Sequence, residues 1–155
     1  MRKVFKMKQK PFAVSALIIN NKGKILCVSR KDDYNDFGCP GGKLDPGETP
    51  EQAIVREIKE ETNLKVKEED LVEIFNGKCY TKENESKINI CYLVKKYKGK
   101  PKQMEKGLVV WDSFYRIVEG SFGKYNAKVL DAILVNYLDA INYNDEKSDA
   151  NTQWF

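Results

Sequence analysis

Apolar and polar positions follow one another in a strand, strand, helix, strands, helix order. Phe12 to Ile19 is a short apolar run that reads as a buried strand, and Ile25 to Ser29 returns after Asn21-Lys22-Gly23 as its hairpin partner. The period then changes. Ala53, Ile54 and Ile58 lie on one side of a helix, and the residues before them form a start signal. Thr49 is an N-cap, Pro50 suits the first helical position, and Gln52 completes a capping box. Asn63 tolerates the left-handed conformation that commonly ends a helix. Further on, Leu64 to Val66 reads as a short strand, and Leu71 to Phe75 with Lys78 to Thr81 as a strand broken near Asn76-Gly77. Ile88 to Val94 is a clear strand, with Ile88, Ile90 and Tyr92 alternating against Asn89 and Cys91. Tyr97 to Lys106 is a polar, lysine-rich loop, and Leu108 to Ile117 is strand-like around Trp111. Lys124 to Ile141 carries a helical stripe of Val129, Leu130, Ile133, Leu134, Tyr137, Leu138 and Ile141.

This order predicts an α/β fold, a mixed sheet with helices packed on it. With 155 residues the chain reads as one domain over 1–142, followed by a polar tail, 143–155, that ends in Trp154-Phe155. Monomer and homodimer are both compatible with it.

Composition narrows the chemistry. There is no histidine, which removes Ser-His-Asp and Cys-His catalysis and His-ligated metal sites. A general base must then be a carboxylate, Lys, Tyr or Cys. Cys27, Cys39, Cys79 and Cys91 lack paired CxxC spacing, which speaks against zinc and for reduced thiols in a cytoplasmic protein. The net charge of +4 favours anionic partners without requiring nucleic acid. The basic residues among the first ten read as a solubilising lead-in, with RNA attraction the sharper alternative. No apolar run is long enough to span a membrane, and the first one lacks the cleavage site of a signal peptide.

The most specific stretch is GKLDPGETPEQAIVREIKEETNL, Gly42 to Leu64. Glu57, Glu60 and Glu61 stand at i, i+3 and i+4, on one helix face. Like charges at this spacing repel unless a cation sits among them, and carboxylate oxygens suit a hard divalent ion, Mg²⁺ first and Mn²⁺ as a substitute. A glycine-rich turn through Pro40-Gly41-Gly42 and Pro46-Gly47 leads into this helix, where the backbone can approach a ligand closely. A simple phosphate cradle would be basic, so a metal should bridge protein and phosphate.

Gly42, Glu48, Arg56, Glu57, Ile58, Glu60, Glu61 and Leu64 fall in the register of the Nudix box, with Asn63 in place of its last Gly. The chain is therefore identified as a member of the Nudix hydrolase family, and its PGGK and GETPEQA flanks resemble the MutT-like branch. The resemblance implies an α/β/α sandwich and Mg²⁺-dependent hydrolysis of a diphosphate linkage in a nucleotide. The first expectation is a nucleoside or deoxynucleoside triphosphate cleaved to the monophosphate and pyrophosphate, with 8-oxo-dGTP as the specific example. Dinucleoside polyphosphates, ADP-ribose and an RNA 5′ end are the enzymatic alternatives, and a non-catalytic nucleotide-binding module is the alternative of another class.

Residue roles follow from the same resemblance. Glu57, Glu60 and Glu61 would hold metal together with the Gly41 carbonyl, and Glu48 would ligate or orient a second ion. Arg56 would hold a glutamate in place by a bidentate contact. Glu57 and Glu105 are both candidates for the general base; Glu105 is equally well a surface carboxylate among lysines. Arg30 is either a phosphate contact or an exposed strand-end arginine. Gly42 and Lys43 belong to the substrate loop. Asn126 is either a reader of a purine edge or simply a residue near a helix start. Tyr80, with Phe37 and Tyr125, could stack on a base; Tyr80 also weakly suggests the diadenosine polyphosphate branch. Cys79 stands where ADP-ribose hydrolases tend to carry Pro.

Overall fold

The computed structural model describes residues 10–80, 85–104 and 107–136. Among the described residues seven strands and three α-helices follow in order: β1 (Pro11–Leu17), β2 (Ile25–Ser29), β3 (Phe37–Gly38), β4 (Gly41–Lys43), α1 (Pro50–Thr62), β5 (Leu71–Tyr80), β6 (Ser86–Val94), β7 (Val109–Asp112), α2 (Tyr115–Val118) and α3 (Gly123–Asn136). One sheet has the order β4-β1-β6-β5 and a second the order β3-β2-β7. The first is mixed, because β1 runs parallel to β6 while β4–β1 and β5–β6 are antiparallel.

Alternation on the two central strands explains the layers. Val14, Ala16 and Ile18 on the β1 segment, with Ile90, Tyr92 and Val94 of β6, face the side covered by Ala53, Ile54 and Ile58 of α1. The intervening Leu17, Ile19, Cys91 and Leu93 face the opposite side, where Tyr125, Val129 and Ile133 of α3 lie. A strand with helices on both faces has no solvent side, so both phases of its period-two pattern are buried. This is the α/β/α sandwich.

Several expectations are corrected. β2 is not the ladder partner of β1. The turn itself forms, with the Asn20 side chain accepting from Lys22 and Lys24 N–H groups, and Ile19 bridges Ile25. Beyond that bridge β2 leaves for the second sheet, because β4 and β6 take the two edges of β1. The strand thought to break at Asn76-Gly77 is continuous through β5, and its irregularity falls between Glu73 and Phe75. Leu64 to Val66 contributes only an isolated bridge from Lys65 to Lys98. Leu108 to Ile117 divides into β7 and the short α2. On α3, Leu134 is exposed, because the buried stripe steps by four through Tyr125, Val129 and Ile133. Residues 137–141 of the expected helix, the basic lead-in before residue 10 and the Trp154-Phe155 tail lie outside the described residues.

Candidate active site

Helix α1 starts and stops as its sequence requires. The Thr49 side chain accepts from Gln52 N–H at 3.1 Å, and the Gln52 side chain accepts from Thr49 N–H at 3.0 Å. At the other end Asn63 adopts φ 68°, and its N–H bonds to the Lys59 carbonyl. These two caps, with Ala53, Ile54 and Ile58 locked in the core, fix how the helix is rotated about its axis. That rotation turns Glu57 and Glu61 inward, where both are buried, and leaves Glu60 half exposed.

Arg56 ties the carboxylates together. Its Nε and Nη2 donate to the two oxygens of Glu48, at 2.7 and 2.9 Å. Nη1 donates to Glu57 at 2.9 Å and to Glu60 at 3.2 Å, and Nη2 also reaches the Lys43 carbonyl at 3.1 Å. Glu48 additionally accepts the Asp45 N–H at 2.8 Å. The guanidinium first, and that N–H second, pull the Glu48 carboxyl down to about 2. In return, its contacts with Glu48 hold Arg56 above its ordinary range.

Strand β4 lies against this network. Gly41 N–H points to Glu61 Oε2 at 3.4 Å. A Cβ on Gly42 would run into the Glu57 carboxylate, so only glycine leaves that carboxylate its place. Gly41 and Gly42, expected in a long turn, are thus part of a strand, paired with Ser15 and Val14 of β1, whereas Gly47 does lie in a turn.

The other boundary of β4 is a cavity of about 580 Å³. Arg30, Gly42, Lys43, Tyr80 and Asn126, the five residues expected to meet substrate, all line it, and so does Gly41, expected to meet metal. Arg30 pairs with Asp32 at 3.3 Å. Lys43 Nζ stands 5.3 Å from the centre of the Phe12 ring, and Lys87 Nζ stands 5.1 Å from it. Tyr80 is exposed at the rim, whereas Asn126 is buried and donates from Nδ2 to the Ile117 carbonyl at 3.1 Å. The cavity wall also holds Cys39 and Cys79. Burial pushes both thiols up, which keeps them protonated and poorly nucleophilic.

Two aromatic expectations change. Phe37 is buried in the core, with the Arg116 guanidinium 5.2 Å from its ring centre, and is not available for stacking. Tyr125 lines the cavity but is itself buried, edge-on to Phe75 and donating to the Asn89 carbonyl at 2.9 Å. Glu105 lies outside the described residues. Sequence reasoning missed Ser15, Asn89, Phe12, Lys87 and Phe122 as lining residues. The available signal was Asn89, a strongly polar residue inside an otherwise apolar strand.

The donor chemistry fits a hard divalent ion: all side-chain donors are carboxylate oxygens, and two of them are buried beside the Gly41-Gly42 backbone. Among the described residues no three side chains are already gathered about one ion position, because Arg56 draws Glu48, Glu57 and Glu60 toward itself.

An α/β/α sandwich presenting a capped, carboxylate-bearing helix beside a Gly-Gly strand defines a class, and the comparisons agree. The NUDIX domain family matches residues 9–130, and the chain belongs to that family. It is a pyrophosphohydrolase, acting on phosphorus anhydride bonds, and enzymes of this family generally use divalent metal ions. It is 33% identical over 132 residues to the 8-oxo-dGTP diphosphatase of Haemophilus influenzae, covering 83% of this chain and 95% of that protein. It is 44% identical over 62 residues to the ADP-ribose pyrophosphatase of Methanocaldococcus jannaschii, a match of 39% of this chain and 37% of that protein. The crystal structure of a MutT NUDIX hydrolase from Burkholderia pseudomallei superposes with a TM-score of 0.66 at 23% identity, covering 81% of this chain and 99% of that one, and so shares the fold. No helix among the described residues is long and apolar enough to cross a membrane.

Proposed function

We propose that this chain is a cytoplasmic, Mg²⁺-dependent, MutT-like hydrolase that cleaves a nucleoside or deoxynucleoside triphosphate to the monophosphate and pyrophosphate, with oxidised purine nucleotides such as 8-oxo-dGTP preferred. The observation that carries this reading is the two-sided placement of β4. Gly41 and Gly42 lie against the carboxylates of α1, the Lys43 carbonyl accepts from Arg56 of the same helix, and all three residues line a cavity large enough for a nucleoside. The extent of the match to an 8-oxo-dGTP diphosphatase supports it, whereas the match to an ADP-ribose pyrophosphatase is confined to a minority of either chain.

Glu57, Glu60 and Glu61 are the residues that would hold Mg²⁺ or Mn²⁺, with the Gly41 carbonyl beside them. When bound, the ion neutralises phosphate charge and acidifies water. The chain's own residues supply the rest. Glu57, buried beside Gly42, is the favoured general base. Arg56 orients Glu57 and Glu60, and Glu48 anchors Arg56 in turn, a role its bidentate contact supports over direct ligation. Arg30 and Lys43 place positive charge on the cavity wall for the phosphates. Asn126 faces the base, and Tyr80 covers the rim. The balanced reaction is triphosphate plus water to monophosphate, pyrophosphate and a proton.

A product-resolved hydrolysis panel with Mg²⁺ tests this, run on wild type and Glu60→Gln. It should include canonical dNTPs, 8-oxo-dGTP, ADP-ribose, diadenosine polyphosphates and 5′-triphosphate RNA. Monophosphate plus pyrophosphate from a dNTP, fastest from 8-oxo-dGTP and lost in the variant, is the expected result. Turnover of only a non-triphosphate substrate would overturn the substrate assignment. Nucleotide binding without turnover under Mg²⁺ or Mn²⁺ would make the chain a binding module.

A further inference from the structure

The edge of the cavity at the start of β1 holds a pair of cations that the carboxylate network does not use. Lys43 Nζ and Lys87 Nζ stand 5.3 and 5.1 Å from the centre of the same Phe12 ring. Strand pairing puts them there. Ala13 of β1 is the register partner of Lys43 on β4 and of Asn89 on β6. Lys87 lies two residues before Asn89 and so shares its face of the sheet. Between Pro11 and Ala13 the β1–β6 register shifts, with one more residue on β1 than on β6. Without that shift Phe12 would follow Val14 to the α1 face; with it, Phe12 lines the cavity together with both lysines. An extra residue of this kind re-aims a side chain beside a site.

The pair stands apart from the carboxylates. None of the residues lining the cavity belongs to α1, and Gly42 turns its other side to Glu57. Lys87 is on β6, two strand spacings or about 10 Å in from β4. An ion held by Glu57, Glu60 and Glu61 would neutralise the two phosphates of the cleaved linkage, beyond β4. The charge of Lys87 is placed for a different group. Its partner in the free protein is Glu85 at 3.4 Å, whose side chain is 64% exposed. A pair so open to water is worth little and is readily exchanged. Arg30, the other cation of the wall, is instead paired with both Asp32 and Asp36.

We propose that Lys87, acting with Lys43 across the Phe12 ring, binds a phosphate of the substrate that lies outside the cleaved linkage. Two sources supply such a phosphate. One is a group on the sugar 3′ oxygen, as where a nucleotide chain continues; the other is the far end of a longer 5′ phosphate chain. Either gives each ammonium a charge-assisted hydrogen bond. A phosphate displaces Glu85 because it satisfies two cations at once, whereas Glu85 satisfies one. The inference rests on the nucleotide-hydrolase reading for the identity of the ligand, and its test does not depend on turnover.

The experiment is calorimetric binding, with Mg²⁺, of ligands that resist hydrolysis to wild type, Lys87→Gln, Lys87→Arg and Glu85→Gln, with a melting curve for each. Deoxyguanosine 3′,5′-bisphosphate against dGMP tests the 3′ source. Methylene-bridged analogues of dGTP against dGDP test the 5′ source. In wild type the additional phosphate should tighten binding about tenfold in one of the two comparisons, the size of one charge-assisted hydrogen bond. That gain should shrink as salt rises. Lys87→Gln should lose the gain and leave dGMP unchanged, while Lys87→Arg should keep most of it. Glu85→Gln frees Lys87 and should enlarge the gain; it decides the matter if Lys87→Gln does not fold. No gain in either comparison, a gain that survives in Lys87→Gln, or an equal weakening of dGMP would overturn the proposal. Triphosphate hydrolysis persisting alongside any of those results would leave the proposed function standing. A gain that depends on Lys87, in a protein that hydrolyses no triphosphate, would do the reverse.

Discussion

Replacing Arg56 with Met tests whether one guanidinium holds the carboxylate helix in order. Met keeps much of the aliphatic stem and removes every polar contact. The decisive partner is Glu57, which Arg56 meets at 2.9 Å and whose side chain is only 6% exposed. Deleting one member of a fully buried ion pair costs roughly 3–5 kcal/mol where the other charge is left without compensation, and less for Glu57, which keeps a further contact. Arg56 itself keeps 25% of its side-chain surface in water, and the contact to half-exposed Glu60 adds little, so ~2–3 kcal/mol is the reasonable figure. For a domain of this size each kcal/mol moves Tm by about 2–4 °C, giving a fall of roughly 4–12 °C. Thermal melts followed by far-UV circular dichroism, at neutral pH and with chelator present, read this directly. Arg56→Lys should recover part of the loss but not the bidentate contact with Glu48. A melting temperature within 2 °C of wild type for Arg56→Met would refute the reasoning, because Glu57 would then be compensated by something other than Arg56.

Other outcomes follow from the same geometry. Glu48 has its folded value depressed to about 2, so its stabilising contribution is fully present above its ordinary value of 4.5 and is lost as pH falls toward 2. Melting temperature against pH should therefore fall more steeply for wild type than for Glu48→Gln across that window; parallel curves would contradict it. Thr49→Ala removes the acceptor for Gln52 N–H and should cost ~1 kcal/mol in chemical denaturation. Asn63→Gly should keep the left-handed stop, whereas Asn63→Val should cost at least ~1 kcal/mol at φ 68°. Tyr125→Phe removes the phenol's hydrogen bond to the Asn89 carbonyl and should cost ~1–2 kcal/mol, read by the same denaturation.

The chain by itself determined everything that depends on near neighbours. The capping box, the left-handed Asn63 and the shared face of Glu57, Glu60 and Glu61 are set by helix geometry within fifteen residues, and each is legible at that range. The Nudix register of Gly42 to Leu64 is of the same kind. Tertiary structure decided what depends on pairing at a distance. A period-two pattern says that a residue is in a strand, but not which strand lies beside it, so the pattern sets β2 beside β1 although its ladder partners are β3 and β7. The same limit hid the cavity floor: Ser15 and Asn89 meet across 74 residues, and only the parallel β1–β6 pairing brings them to one face. Burial made the last decision. Phe37 and Tyr80 are both aromatic side chains in the sequence, but the core takes Phe37 and leaves Tyr80 at the cavity rim. A side chain's chemistry is written in its identity, whereas its access to a ligand depends on which other elements pack over it.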